Sequence, residues 1–307
     1  MLNLLIRKLI QGVLMLLVVS AITFVLLSAA GGDALSVLQD NPQISERTIE
    51  NLRKVYGLDR PLIERYGAWL VNAATGNLGE SIAFRIPVST LVGSRFLNTL
   101  MMGVIALTLA ISVSLLLAIL SVMRGQQVVD TVIEILIFLT ASTPRMVLSL
   151  LALLLSLSIL PRGSAGGTQW FQLIAGSIVL AVPLISIFLA QLVHGLKDVM
   201  EEDFIRLARA KGLSEWQVVS RHALRVSLNP FLTVAGLSLG GLLGGSVIVE
   251  TVLGWQGIGA LMVTAVRGRD VPLVMGIVLI ASAAVWFGNT LAEFLQAMND
   301  KRIRDGY

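Results

Sequence analysis

Long apolar runs alternate with short polar segments along the whole chain. Six runs lie near residues 9–29, 98–122, 132–158, 173–193, 228–249 and 272–297. Each is long enough for a helix to cross the hydrocarbon core of a bilayer, which takes about 20 residues. Lipid offers no partner to a backbone N–H or C=O, so each run is predicted to be a helix. The first run, Leu9–Ala29, follows Arg7 and Lys8 and ends near a small-residue site, Ser28-Ala29-Ala30. It exceeds the roughly 7–15-residue core of a signal peptide, so it reads as a retained anchor.

Two polar stretches interrupt the pattern. The segment 30–97 contains a helical run near Ser45–Tyr56 with Ser45 as its cap. A turn at Gly57-Leu58-Asp59-Arg60-Pro61-Leu62 and a second amphipathic run to Ala74 follow. It is expected to lie on the outer mouth of the membrane part. The other stretch runs from Asp203 through Arg225 and is expected to stop at Asn229-Pro230. It reads as two short helices hinged at a glycine. Glu201, Glu202 and Asp203 open the first helix while Arg206, Arg209 and Lys211 close it, the order the helix dipole favours. Gly212 fits the left-handed position that stops a helix. Ser214-Glu215-Trp216-Gln217 is a capping-box pattern that opens the second. Ala208 and Ala210 keep the hinge slim. Such a device suits a grip on another protein, with Trp216, beside Val218 and Val219, as its anchor. The alternative is an ordinary solvated loop.

Composition agrees with the pattern. Of 307 residues 55% are hydrophobic and only 14% charged, against about 25% charged in a soluble protein. The absence of cysteine excludes disulfides and thiolate chemistry. His194 and His222 are not at metal-binding spacing, so no metal site is expected. Charge distribution sets the predicted orientation. One set of short segments holds Arg7, Lys8, Arg124, Lys197, Arg206, Arg209, Lys211, Arg221, Arg225, Lys301, Arg302 and Arg304; the opposite set holds only Arg162, Arg267 and Arg269. Both termini and the glycine hinge are therefore expected in the cytoplasm. No Gly-x-x-x-x-Gly-Lys-Ser/Thr stretch occurs, so this chain has no P-loop to cradle ATP phosphates.

The run Arg206-x-Ala208-Arg209-Ala210-Lys211-Gly212-Leu213-Ser214-Glu215, with Arg221-His222-Ala223-Leu224-Arg225 and Pro230, resembles the cytoplasmic signature loop of ABC-importer permeases of the dipeptide, oligopeptide and nickel type. Matching stretches continue along the chain: Gly57–Leu62, Gly76-Asn77-Leu78-Gly79-Glu80-Ser81, Glu250-Thr251-Val252, Trp255-x-Gly257-Ile258-Gly259, Arg269-Asp270-x-Pro272-Leu273 and Arg302-Ile303-Arg304. Departures are the peptide-type Arg206-Leu207-Ala208, Gln256 and Lys301 where prolines are usual, and Gly31-Gly32-Asp33-Ala34 where the family often has prolines.

The resemblance implies an all-α polytopic fold, six transmembrane helices in a type I importer permease (MetI-like) architecture with a cytoplasmic coupling-helix pair. It implies an anchor over 1–29, an extracytoplasmic segment over 30–97, a core over 98–297 with the coupling loop at 196–227, and a cytoplasmic tail over 298–307. Arg206, Ala208, Lys211, Gly212, Leu213, Ser214, Trp216, Arg221 and His222 would meet the ATPase. The expected partners are a second permease, two ATPase subunits, an extracytoplasmic binding protein and the lipid bilayer of a bacterial inner membrane, with no nucleic acid. No cofactor is expected on this chain, ATP and Mg being held by partner subunits. Peptides are the expected cargo, with nickel or another small solute as the alternative.

Two further features stand out. Gly236, Gly240 and Gly244, with Gly241 and Gly245, form overlapping Gly-x-x-x-Gly steps. They serve either packing inside this subunit or contact with a second permease. Arg145 follows Ser142-Thr143-Pro144 near the middle of the third run, where Pro144 breaks the helix. An intramembrane arginine costs about 2.5–3.5 kcal/mol on insertion scales, so it needs a partner or a wet cavity. It is either a pathway residue or half of a structural ion pair. Glu134, Asn289 and Glu293 raise the same question and are read as structural. A secondary transporter or channel would carry related broken helices with paired midplane ligands, which are not seen. An intramembrane protease would need more than Ser246, which has no histidine at its depth.

Overall fold

The computed structural model describes residues 2–29, 47–48, 50–51, 59–124, 127–159 and 165–299. In chain order the helices are α1 (Leu2–Ala29), α2 (Leu62–Ala74), α3 (Val88–Arg124), α4 (Gln127–Ser142), α5 (Arg145–Ile159), α6 (Ala165–Met200), α7 (Asp203–Ala210), α8 (Glu215–Gln217), α9 (Leu224–Leu253), α10 (Ile258–Arg267) and α11 (Val271–Asn299). A π-helical turn, Val218–Ala223, joins α8 to α9. Among the described residues there is no strand, only an isolated bridge between Glu80 and Pro87. The fold is all-α, as expected.

Among the described residues five helices are long and apolar enough to cross a membrane, and the bent pair α4–α5 makes a sixth if counted as one span. That pair turns by 89° at Thr143-Pro144, because proline has no N–H for the ladder and its ring crowds the preceding turn. Several helices outrun the apolar cores that mark them. The helix expected from 98 starts at Val88, inside the segment assigned to the outer side. Pro230 does not stop a helix; it lies within α9. The expected cap Ser45 and most of the run to Tyr56 lie outside the described residues, as do Gly57, Leu58, Arg162 and the tail with Lys301, Arg302 and Arg304. Helix α2 matches the second amphipathic run. Helix α10 has no counterpart in the sequence reading.

Contacts divide the chain into two compact units. One comprises Leu2–Thr99 and Gln256–Trp286. Its core holds Leu78, Val88, Val92, Ile258, Leu261, Leu273 and Ile277. Asp270, fully buried, organises its polar loops. Its carboxylate accepts from Ser81 Oγ at 2.6 Å, from Ala83 N at 3.0 Å and from Leu273 N at 3.1 Å. Gln256, the departure from proline, accepts from Arg95 Nη1 through its side chain at 2.7 Å and from Asn98 Nδ2 through its carbonyl at 2.8 Å. Gly12 lies under the Trp286 indole, whose Nε1 donates to Lys8 O at 3.2 Å.

The other unit comprises Leu100–Trp255 and the chain from Phe287. Helix α6 is its centre. Leu180, Leu184, Phe188, Leu189, Leu192 and Leu196 are almost completely buried, as fits a helix apolar on every face. Phe188 meets Phe231 of α9 edge to face at 5.2 Å. Ser227 Oγ donates to Gly195 O at 3.0 Å, locking α9 to α6. Lys197, near the end of α6, pairs with Asp130 of α4 at 3.0 Å, and Ser121 of α3 donates to the same carboxylate at 2.7 Å.

Candidate coupling site and membrane arginine

The charged segment folds as its local signals require. Helix α7 ends in a Schellman motif: Gly212 N donates to Arg209 O at 2.9 Å and Leu213 N to Ala208 O at 3.4 Å. Gly212 sits at φ +80°, and nothing lies within 4 Å of where its Cβ would be. Glycine is there for its backbone and not for lack of room. Ser214 then caps α8: its Oγ accepts from Gln217 N at 3.4 Å and its N–H donates to Gln217 Oε1 at 3.1 Å. The capping box read from the sequence is present.

Packing then sorts the side chains. Ile205, Ala208, Val218, Val219 and Ala223 are buried. Val218 and Val219 therefore cannot belong to a docking face beside Trp216, contrary to the sequence reading. Two adjacent residues point inward because Val218–Ala223 is a π turn, closed by Leu224 N donating to Val219 O. The extra residue in that turn shifts the face that α-helical spacing predicts. Trp216 is 55% exposed, with Leu207 and Phe204 exposed on α7. Leu207 and Phe204 were missed; their signal is the width of the single apolar stripe of α7, one edge of which they form outside the packed Ile205 and Ala208. Arg206, Lys211, Ser214 and Arg221 are exposed, Leu213 and His222 half-buried. Of the nine candidate coupling residues only Ala208 is sealed inside.

The glycines of α9 divide. Gly236 packs inside the subunit, where a Cβ would collide with Ala292 of α11. Gly241 and Gly244 are exposed, with nothing within 4 Å of where a Cβ would be, and Gly240 is half-buried. Gly245 is buried beneath Arg145: a Cβ there would overlap the guanidinium. Arg145 Nη1 donates to Gly241 O at 3.1 Å. Among the described residues no carboxylate pairs with Arg145. Glu134 and Glu293 are exposed, while Asn289 Oδ1 is buried without a partner among the described residues. Glu250, completely buried in α9, entered the sequence reading only through the Glu250-Thr251-Val252 match and was not weighed there as a buried acid.

Apolar helices of spanning length, with a capped, hinged helix pair between two of them, define a polytopic membrane protein. Residues 85–305 match the family described as binding-protein-dependent transport system inner membrane component, and residues 1–116 match its N-terminal model. The chain is similar to a putative peptide permease protein of Brucella suis biovar 1 (strain 1330), 32% identical over 99% of each chain. It is 33% identical to the oligopeptide transport system permease protein AppB of Bacillus subtilis (strain 168), over 97% of this chain and 98% of that one. It is 31% identical to the glutathione transport system permease protein GsiC of Escherichia coli O6:H1, over 99% of both. The chain belongs to the binding-protein-dependent transport system inner membrane component family. It is an inner-membrane permease subunit of an ABC importer, and its transport is driven by partner subunits.

Proposed function

We propose that this chain forms half of the translocation pathway of a peptide importer. A separate ATPase dimer drives it through α7 and α8. Peptides as cargo are supported by the names of the relatives, two of them peptide or oligopeptide permeases and one a glutathione permease. The observation that carries the coupling role is the Gly212 hinge, which holds Trp216, Leu207 and Phe204 exposed while the reverse side of the pair is anchored in the core. Closure of the ATPase dimer on ATP moves the helix pair, and the pathway changes the side to which it opens.

The second half is a second permease. Residues 1–29 anchor the chain, 30–97 lie outside the cytoplasm, 98–297 form the core with the coupling loop 196–227, and 298–307 form a cytoplasmic tail. Both termini are cytoplasmic. ATP and Mg are bound by the ATPase subunits and no cofactor by this chain. The test is ATPase stimulation of the purified complex by its binding protein loaded with peptide or with nickel. Stimulation by nickel alone would reject the peptide reading.

A further inference from the structure

We propose that Arg145 is a carboxylate-binding site for the transported solute, held in place by Gly245. The inference rests on the peptide-import reading. Arg145 opens α5 just after the 89° break, so its positive charge stands at the positive end of a helix dipole. Two positive features coincide at one point of an apolar span. The guanidinium carries five N–H donors, and Nη1 donates to Gly241 O. No carboxylate among the described residues answers the charge, and the side chain is only half-buried.

The seat is specific. Gly245 leaves the space that the guanidinium fills, while Gly241 and Gly244 expose bare backbone beside it. A planar guanidinium binds a carboxylate through two parallel N–H bonds, which a neutral amide cannot match. A peptide C-terminus is such a carboxylate; an acidic side chain of the second permease is the other source of the same chemistry.

The intact importer, with its second permease, ATPase subunits and binding protein in liposomes, separates the two sources. Uptake of trialanine and of its C-terminal amide is measured, each saturating the binding protein. Wild type is expected to favour the acid. Arg145→Gln should lower the acid-to-amide ratio about tenfold, as loss of a charge-assisted hydrogen bond predicts. Arg145→Lys keeps the charge without the two-pronged fork, so it should retain part of the ratio, between Arg145→Gln and wild type. Gly245→Ala keeps the charge but displaces it, so it should lower the ratio even if Arg145→Gln assembles poorly. A ratio unchanged in Arg145→Gln and Gly245→Ala overturns the proposal. So does an equal loss of both peptides with reduced complex yield, which assigns Arg145 to the second permease. If wild type takes up neither peptide, the peptide reading itself fails and this site falls with it.

Discussion

Arg209 and Glu215 clamp α7 and α8 together across the glycine that separates them. Nε and Nη2 of Arg209 donate to the two carboxylate oxygens of Glu215 at 2.9 and 3.1 Å. Both side chains are substantially exposed, 41% and 55%. The pair therefore contributes below about 1 kcal/mol to stability. Its effect is angular, because it fixes how α8 leaves the Gly212 turn. Arg209→Ala is expected to leave the midpoint of thermal unfolding of the detergent-purified complex almost unchanged. It should raise ATP hydrolysed per solute imported.

Gly212 itself is a stronger test. With open space around its Cβ position and φ at +80°, a substitution meets only a backbone penalty. That penalty is about 1–2 kcal/mol for a left-handed residue and is smallest for Asn. Gly212→Val should insert normally but lose ATPase subunits on co-purification or lose coupling of hydrolysis to uptake. Gly212→Asn should be milder on both counts. Wild-type behaviour of Gly212→Val in co-purification, hydrolysis and uptake would remove this loop from the coupling path.

Exposed and buried positions of the same device should separate in their phenotypes. Trp216→Ala and Leu207→Ala remove exposed apolar surface, so ATPase co-purification should fall while the thermal midpoint of the isolated permease holds. Ile205→Ala empties a fully buried position and should cost about 2–5 kcal/mol of stability. Loss of thermal stability in Trp216→Ala equal to that in Ile205→Ala would show that Trp216 is a packing residue.

Asp270 predicts a defect of another kind. Its buried carboxylate accepts from Ser81, Ala83 and Leu273. Asp270→Ala strands those donors, at about 1–3 kcal/mol for each group left unsatisfied. The loop 79–87 should become protease-sensitive in right-side-out vesicles, with ATPase co-purification intact. Ser81→Ala should give a weaker form of the same result.

Orientation is checked by reporter fusions. Those at Gly125 and Ser214 should report cytoplasm, and those at Gln43 and Ala165 the outside, following the Lys and Arg bias of the short segments. An outside signal at Ser214 would detach α7 and α8 from any ATPase.

The sequence alone determined the apolar runs, the break at Pro144, and the stop and cap at Gly212 and Ser214. These features depend on neighbours within one helical turn or on contact with lipid, so residue type and spacing decide them. Tertiary structure decided what needed a distant partner. Only packing against α6 shows that Val218 and Val219 turn inward while Trp216 stays out, because the π turn shifts the face by one residue. Helix α10 is too short to stand out as a span and too apolar to read as a loop. The bond from Ser81 to Asp270 joins residues 189 positions apart. The fit of Arg145 over Gly245 depends on how α5 crosses α9. Glycine spacing advertises a close approach, but what fills the notch, Ala292 at Gly236 and a guanidinium at Gly245, is set by helix packing that no local pattern records.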